Sequence, residues 1–289
     1  MRKQVRVPLA FLLVTLISAI VWKEFCDGEP TYQGKRLSAW LKSFDSGAPD
    51  AETDLAADAV RHIGTNALPT LLAMIQSKDS RWELFVEQVD LRQPLIRIPL
   101  KKAAFTRRRR AVSAFRALGA SAKPAVPALA HVLFNNPDNF DASLAMASIG
   151  PEALSAVMQA TTNNDPKIRA VAVWTLGHMY FDPEAVVPVL IKSLKDDCGA
   201  VRCFAAGSLG DFPEQSALIV PALVECLADR EETVRYLALF WLGALGREAG
   251  TASPAIRQVL DDPSYRVRLA AGKALKKIDP EAAAEADAR

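Results

Sequence analysis

Residues 167–177 read KIRAVAVWTLG, residues 200–210 AVRCFAAGSLG and residues 233–243 TVRYLALFWLG, so one eleven-residue text returns twice at intervals of 33. No other feature narrows the fold as far. A fixed period of roughly 20–50 residues belongs to arrays in which each unit touches only its neighbours and buries an apolar face that no unit can bury alone.

Anchored on the Leu or Ile before the glycine position, the pattern extends to Ile63, Leu118, Ile149, Leu176, Leu209, Leu242 and Leu275, which makes seven copies. Four residues earlier every copy has alanine: Ala59, Ala114, Ala145, Ala172, Ala205, Ala238 and Ala271. Residues i and i+4 share one helical face, and alanine there lets a neighbouring helix approach closely. After the glycine comes Pro-x-Leu-x-x-x-Leu or a near copy, beginning at Pro69, Pro127, Pro188, Pro221 and Pro254. Proline is tolerated in a first helical turn and glycine ends the helix before it, so each unit is expected to be helix, turn, helix. The fold class expected is all-α, a right-handed α-solenoid of about seven stacked helix-turn-helix repeats.

Between units the chain writes Asp165 before Ile168 and Arg169, Asp197 before Val201 and Arg202, Asp229 before Val234 and Arg235, and Asp262 before Val267 and Arg268. With these residues the array resembles the HEAT repeat superfamily, and specifically the short HEAT-like repeats of phycobilin lyase type, over residues 50–278. The resemblance implies that Asp165, Asp197, Asp229 and Asp262 cap helices. It also implies that Arg169, Arg202, Arg235 and Arg268 form a structural ladder bonding one repeat to the next. The first three copies have Ala56, Ala111 and Ala142 in the arginine register, so the ladder is expected only in the C-terminal half.

Residues 31–49 hold Leu37, Trp40, Leu41 and Phe44 at helical spacing, with Ser38 to start the turn, and suit a helix capping the open end of the stack. At the other end Lys276 replaces glycine and residues 279–289 read as a polar tail. Residues 1–30 form a signal or anchor and linker: Arg2, Lys3 and Arg6 precede an uncharged run from Val7 to Trp22, followed by Lys23 and Glu24. Sixteen helical residues reach about 24 Å, short of the roughly 30 Å hydrocarbon core, so a span needs Arg6 and Lys23 to snorkel. No small-x-small pair follows the run directly, which favours a retained single-pass anchor over cleavage and secretion. The repeat domain is then expected outside the cytoplasm, in the periplasm of a Gram-negative cell.

The interval from Ile63 to Leu118 is about twenty residues too long, and the excess forms an insertion near residues 80–110. Ten basic residues and no acidic one fall between positions 91 and 137, although the whole chain carries only +2. Two readings follow. The arginine run is either the solvated face of a lengthened first helix, or Lys101, Lys102, Arg107, Arg108 and Arg109 form a docking surface for an acidic partner or an anionic membrane. Arg110 is set apart because it shares the register of Leu55, Ile168, Val201, Val234 and Val267.

Catalytic signatures are missing: there is no G-x-S-x-G, phosphate loop, HExxH or ligand cluster. His62, His131 and His178 fall at different registers and read as structural. Trp174, Phe240 and Trp241 read as core or inter-repeat residues, and Cys198 with Cys203 as a pair without support for a disulfide. An export signal argues against nucleic acid as a partner. The function expected is a non-enzymatic scaffold that takes a protein partner on the concave surface, with no cofactor. The alternative is a cofactor-handling enzyme of bilin lyase type, which the repeat resemblance permits.

Overall fold

The computed structural model describes residues 28–45, 48–78 and 103–287. The apolar run 7–22 and the insert lysines Lys101 and Lys102 lie outside the described residues. The chain enters through a short antiparallel ribbon, β1 (Thr31–Tyr32) and β2 (Lys35–Arg36), turned by Gln33 and Gly34 at φ 50° and 72°. Helix α1 (Leu37–Leu41) follows directly and buries Leu37 and Leu41 completely. It begins one residue before Ser38, because the Glu29 carboxylate accepts both the Ser38 amide and its hydroxyl.

From there helices alternate as first and second members of pairs. The first members are α2 (Asp50–Ile63), α4 (Ala103–Leu118), α6 (Phe140–Ile149), α8 (Pro166–Gly177), α10 (Gly199–Leu209), α12 (Glu232–Leu245) and α14 (Tyr265–Ile278). The second members are α3 (Leu68–Ile75), α5 (Val126–Asn135), α7 (Pro151–Ala160), α9 (Pro183–Ser193), α11 (Ser216–Glu225), α13 (Ser253–Gln258) and α15 (Pro280–Asp287). This is an all-α stack of helix-turn-helix repeats with one continuous core. Pro69, Pro127 and Pro254 occupy first turns as expected. Pro188 and Pro221 do not: they lie inside α9 and α11, which start earlier, α9 because the Asp182 side chain caps it through the Ala185 amide.

The alanine register forms the seam of the stack. Ala59, Ala114, Ala145, Ala205, Ala238 and Ala271 are fully buried and Ala172 nearly so. The glycines beside them serve two purposes rather than one. Gly64, Gly119 and Gly150 adopt φ of 61°, 51° and 92° and break the chain direction, as read from sequence. Gly177, Gly210 and Gly243 have ordinary helical backbones. A Cβ on Gly177 would collide with Ser208, one on Gly210 with the Trp241 indole, and one on Gly243 would come within 3.0 Å of the Ala274 backbone. In the C-terminal repeats glycine is therefore a seat for the next helix.

One register shifts in the N-terminal half. Leu55 is 59% exposed, whereas Ile168, Val201, Val234 and Val267 are buried, because α2 turns Ala56, Ala59, Val60 and Ile63 inward instead. The segment after Asp279 is not a polar tail up to residue 287: it is α15, capped by Asp279 through the Ala282 amide, with Ala282 and Ala283 buried. Among the described residues one run, Ala104–Asn135, has the length and hydropathy of a membrane span. It is two core helices joined at Gly119, with Phe115 and Leu129 fully buried in the stack.

Candidate functional site

Arginines of the first helices join successive repeats in one geometry. Arg169 donates through Nε and Nη2 to the Asp196 carboxylate at 2.7 and 2.9 Å, Arg202 to Asp229 at the same distances, and Arg235 to Asp262 likewise. Nη1 of each donates to the carbonyl six residues earlier at 2.9 Å, which fixes the guanidinium plane. The acceptors recur at intervals of 33: Asn163, Asp196, Asp229, Asp262. Asp197 is thus replaced as ladder partner by Asp196 and contributes only its carbonyl to Arg202. Asp165 instead caps α8 by accepting the Lys167 amide. Arg268 holds the Asp262 and Pro263 carbonyls at 2.7 and 3.1 Å.

These contacts set the electrostatics of the seam. The Arg169 bond holds Asp196 below the usual carboxylate range, and the Arg235 bond does the same for Asp262. Burial pushes Asp229 upward, but Arg202 and the Glu231 amide outweigh it and the net direction is down. Burial also raises the Cys203 thiol and takes Cys226 up to about 12, so neither is poised as a thiolate nucleophile. Cys198, Cys203 and Cys226 are all free.

The basic run divides. Arg108 bonds Asp141 on α6 at 2.8 Å and the Ser77 carbonyl at 2.8 Å, and Arg110 grips Asp45 with two bonds of 2.7 and 2.6 Å. Arg108 therefore belongs to the stack, and it carries the inter-repeat linkage into the N-terminal half, where sequence placed none. Arg107 is half-buried. Arg109 is exposed, its guanidinium 6.0 Å from the Phe105 ring.

Arg109 and Phe105 stand on the wall of an open groove of about 820 Å³ shared by four successive repeats, with Lys78, His131, Phe140 and Trp174 also on its lining. Local capping builds it. The Asn139 side chain accepts the Ala142 amide and donates to the Ile75 carbonyl at 3.0 Å, which sets Phe140 at the mouth of α6. Asp165 starts α8 so that Trp174 faces Phe140 edge-on, with ring centroids 5.0 Å apart. The His178 ring lies 4.0 Å from Trp174, tilted by 37°, and donates Nδ1–H to the Trp174 carbonyl at 2.9 Å. Tyr180 continues the line 6.4 Å farther on. Burial raises the Asp211 carboxyl beside His178, which partly offsets the effect.

Phe105 and Phe140 are 49% and 40% exposed, Trp174 is partly open, and the line Phe140–Trp174–His178–Tyr180 crosses two repeats. Such a surface offers aromatic faces, one accessible guanidinium and a fixed imidazole. It suits non-covalent recognition. Sequence reasoning placed Trp174 in the core because a solitary helical Trp carries no sign of its exposed edge. A second, smaller groove of about 430 Å³ lies between α9 and α11, lined by Ile191, Leu194, Leu218 and Pro221.

Two stretches, 152–220 and 220–286, match the model for HEAT repeats. The complex of CpcE and CpcF of phycocyanin lyase from Nostoc sp. PCC7120 is similar at 26% identity over 52% of this chain and 98% of that chain, with a TM-score of 0.46. An engineered protein is 18% identical over 87% of this chain and 71% of its own, TM-score 0.44. Human deoxyhypusine hydroxylase in complex with glycerol is 18% identical over 85% of each chain, TM-score 0.37. No curated protein sequence matches.

Proposed function

We propose that this chain of HEAT repeats is a non-enzymatic adaptor that holds an acidic segment of a protein partner in the groove of Phe105, Arg109, Phe140 and Trp174. The observation that carries this reading is the convergence of the exposed Phe105 and Phe140 rings, the partly open Trp174 and the Arg109 guanidinium on a single groove. Trp, Tyr and Arg supply most of the binding energy where they line an interface, and a truncated anchor of this kind costs about 2 kcal/mol, roughly thirtyfold in affinity. A cofactor enzyme that uses Cys203 or Cys226 is the less supported reading, since burial drives both thiols away from the reactive form.

On this proposal the N-terminal basic and apolar segment exports the adaptor and tethers it with its repeats outside the cytoplasm. Alkaline phosphatase fused after residue 40 is then active, and a stable but inactive fusion would refute the orientation. Capture from the cell envelope on the full chain, compared with Arg109→Gln and Phe140→Ser, tests the groove. A partner lost from both variants, and released as salt rises, is expected. Identical recovery on all three chains would remove the groove from the account. Equal binding of all three to anionic vesicles would assign the charge to membrane contact instead.

A further inference from the structure

The aromatic row does not stop at the groove. From Phe140 it passes through Trp174, His178 and Tyr180 in steps of 5.0, 4.0 and 6.4 Å, and Tyr180 lies 6.0 Å from the buried Phe212 ring. His178 and Tyr180 stand in the turn between α8 and α9, and Asp211 in the turn between α10 and α11. Tyr180 is 58% exposed, and the Asp211 carboxylate is exposed near enough for its charge to act on the phenol.

The two ends of this row carry opposite charge. At the groove end stand Lys78 and Arg109, both exposed. Of the two carboxylates on that wall, Asp141 is neutralised by Arg108 and Asp138 is exposed. At the Tyr180 end, residues 178–190 and 207–220 contain Asp182, Glu184, Asp211 and Glu214 but no lysine or arginine. Asp182 is occupied in capping α9 through the Ala185 amide. Asp211 is not so held: among the described residues the cationic group acting on it is His178, whose Nδ1–H is already given to the Trp174 carbonyl. Burial, and then the Asp211 charge, raises the Tyr180 phenol, so its ring stays neutral. A neutral aromatic face beside a carboxylate attracts a cation twice over, through the ring quadrupole and through the charge.

We propose that the partner segment in the groove is bipolar, with a carboxylate at Arg109, apolar side chains over Phe140 and Trp174, and a lysine or arginine seated between Tyr180 and Asp211. This rests on the groove reading above and narrows its partner. The ring steps set the spacing: an extended chain advances about 3.3 Å per residue, so the cationic residue falls within about five residues of the one over Phe140.

The probe is an acetylated, amidated nonapeptide with two glutamates at one end, Ser-Leu-Ser-Leu-Ser in the middle and two lysines at the other. It is titrated calorimetrically into the full chain at low salt beside two controls, one with glutamates at both ends and one with a glutamate and a lysine at each end. The bipolar peptide is expected to bind roughly tenfold tighter than either control. Asp211→Asn, an exposed substitution that leaves the fold intact, should remove that margin, and Asp211→Lys should reverse it in favour of the all-glutamate peptide. Equal or tighter binding of the all-glutamate peptide to the unaltered chain would overturn the bipolar reading while leaving the acidic-segment reading in place. A margin that survives Asp211→Asn would also overturn it. Binding of none of the three peptides at millimolar concentration would overturn both readings.

Discussion

The indole of Trp241 lies across Gly210 of the preceding repeat, filling the space that any β-carbon on residue 210 would need. Ser208 stands in the same relation to Gly177, and Ala274 to Gly243. Each pair is 31 residues apart, so the recurring glycine of the C-terminal repeats records where the next helix arrives.

Gly210→Ala is therefore expected to destabilise the stack by about 1–3 kcal/mol through overpacking, although alanine is the better helix former. Trp241→Ala should relieve that cost, and a double-mutant cycle in urea would show it as non-additivity. Additive effects would separate the two residues. Gly246, at φ 58°, carries the strain argument instead: its alanine variant suffers from backbone conformation and should show no coupling to Trp241.

Acid should loosen the ladder. Asp196, Asp229 and Asp262 have folded-state pKa values below those of the unfolded chain. Their contribution is fully present above the unfolded carboxylate value near 4 and is lost as pH falls through the lowered folded values. Stability measured from about pH 6 down to pH 2 should fall mainly below about 4. Asp229→Asn should flatten part of that fall, and it should cost about 3 kcal/mol at neutral pH, because the Arg202 and Asp229 side chains are only 7% and 11% exposed.

The arginine run should behave as two populations. Arg109→Gln leaves the melting midpoint nearly unchanged, as expected of an exposed cation. Arg108→Gln lowers it, since Asp141 and the Ser77 carbonyl both lose their donor. Equal melting of the two variants would contradict this division.

The period, the alanine seam and the all-α architecture were legible because they depend on local helical spacing that repeats. Registration between repeats was harder to read. Asp197 and Asp196 are adjacent, and only the 33-residue interval linking Asp196, Asp229 and Asp262 separates the ladder partner from its neighbour. Arg108 was invisible as a rung because it lies ten residues before Leu118, whereas Arg169, Arg202 and Arg235 lie seven before Leu176, Leu209 and Leu242. The groove was legible only in part: its charge stood out in the sequence, but Phe105, Phe140 and Trp174 lie on three repeats, and no linear pattern joins residues whose proximity comes from stacking.

Hydrogen–deuterium exchange of the full chain, with and without the partner captured from the envelope, tests the central claim most directly. The account predicts that the partner slows exchange at residues 76–78, 105–109, 138–144 and 174–180, the segments around the groove. Protection confined to α9 and α11, with the groove segments unchanged, would contradict it.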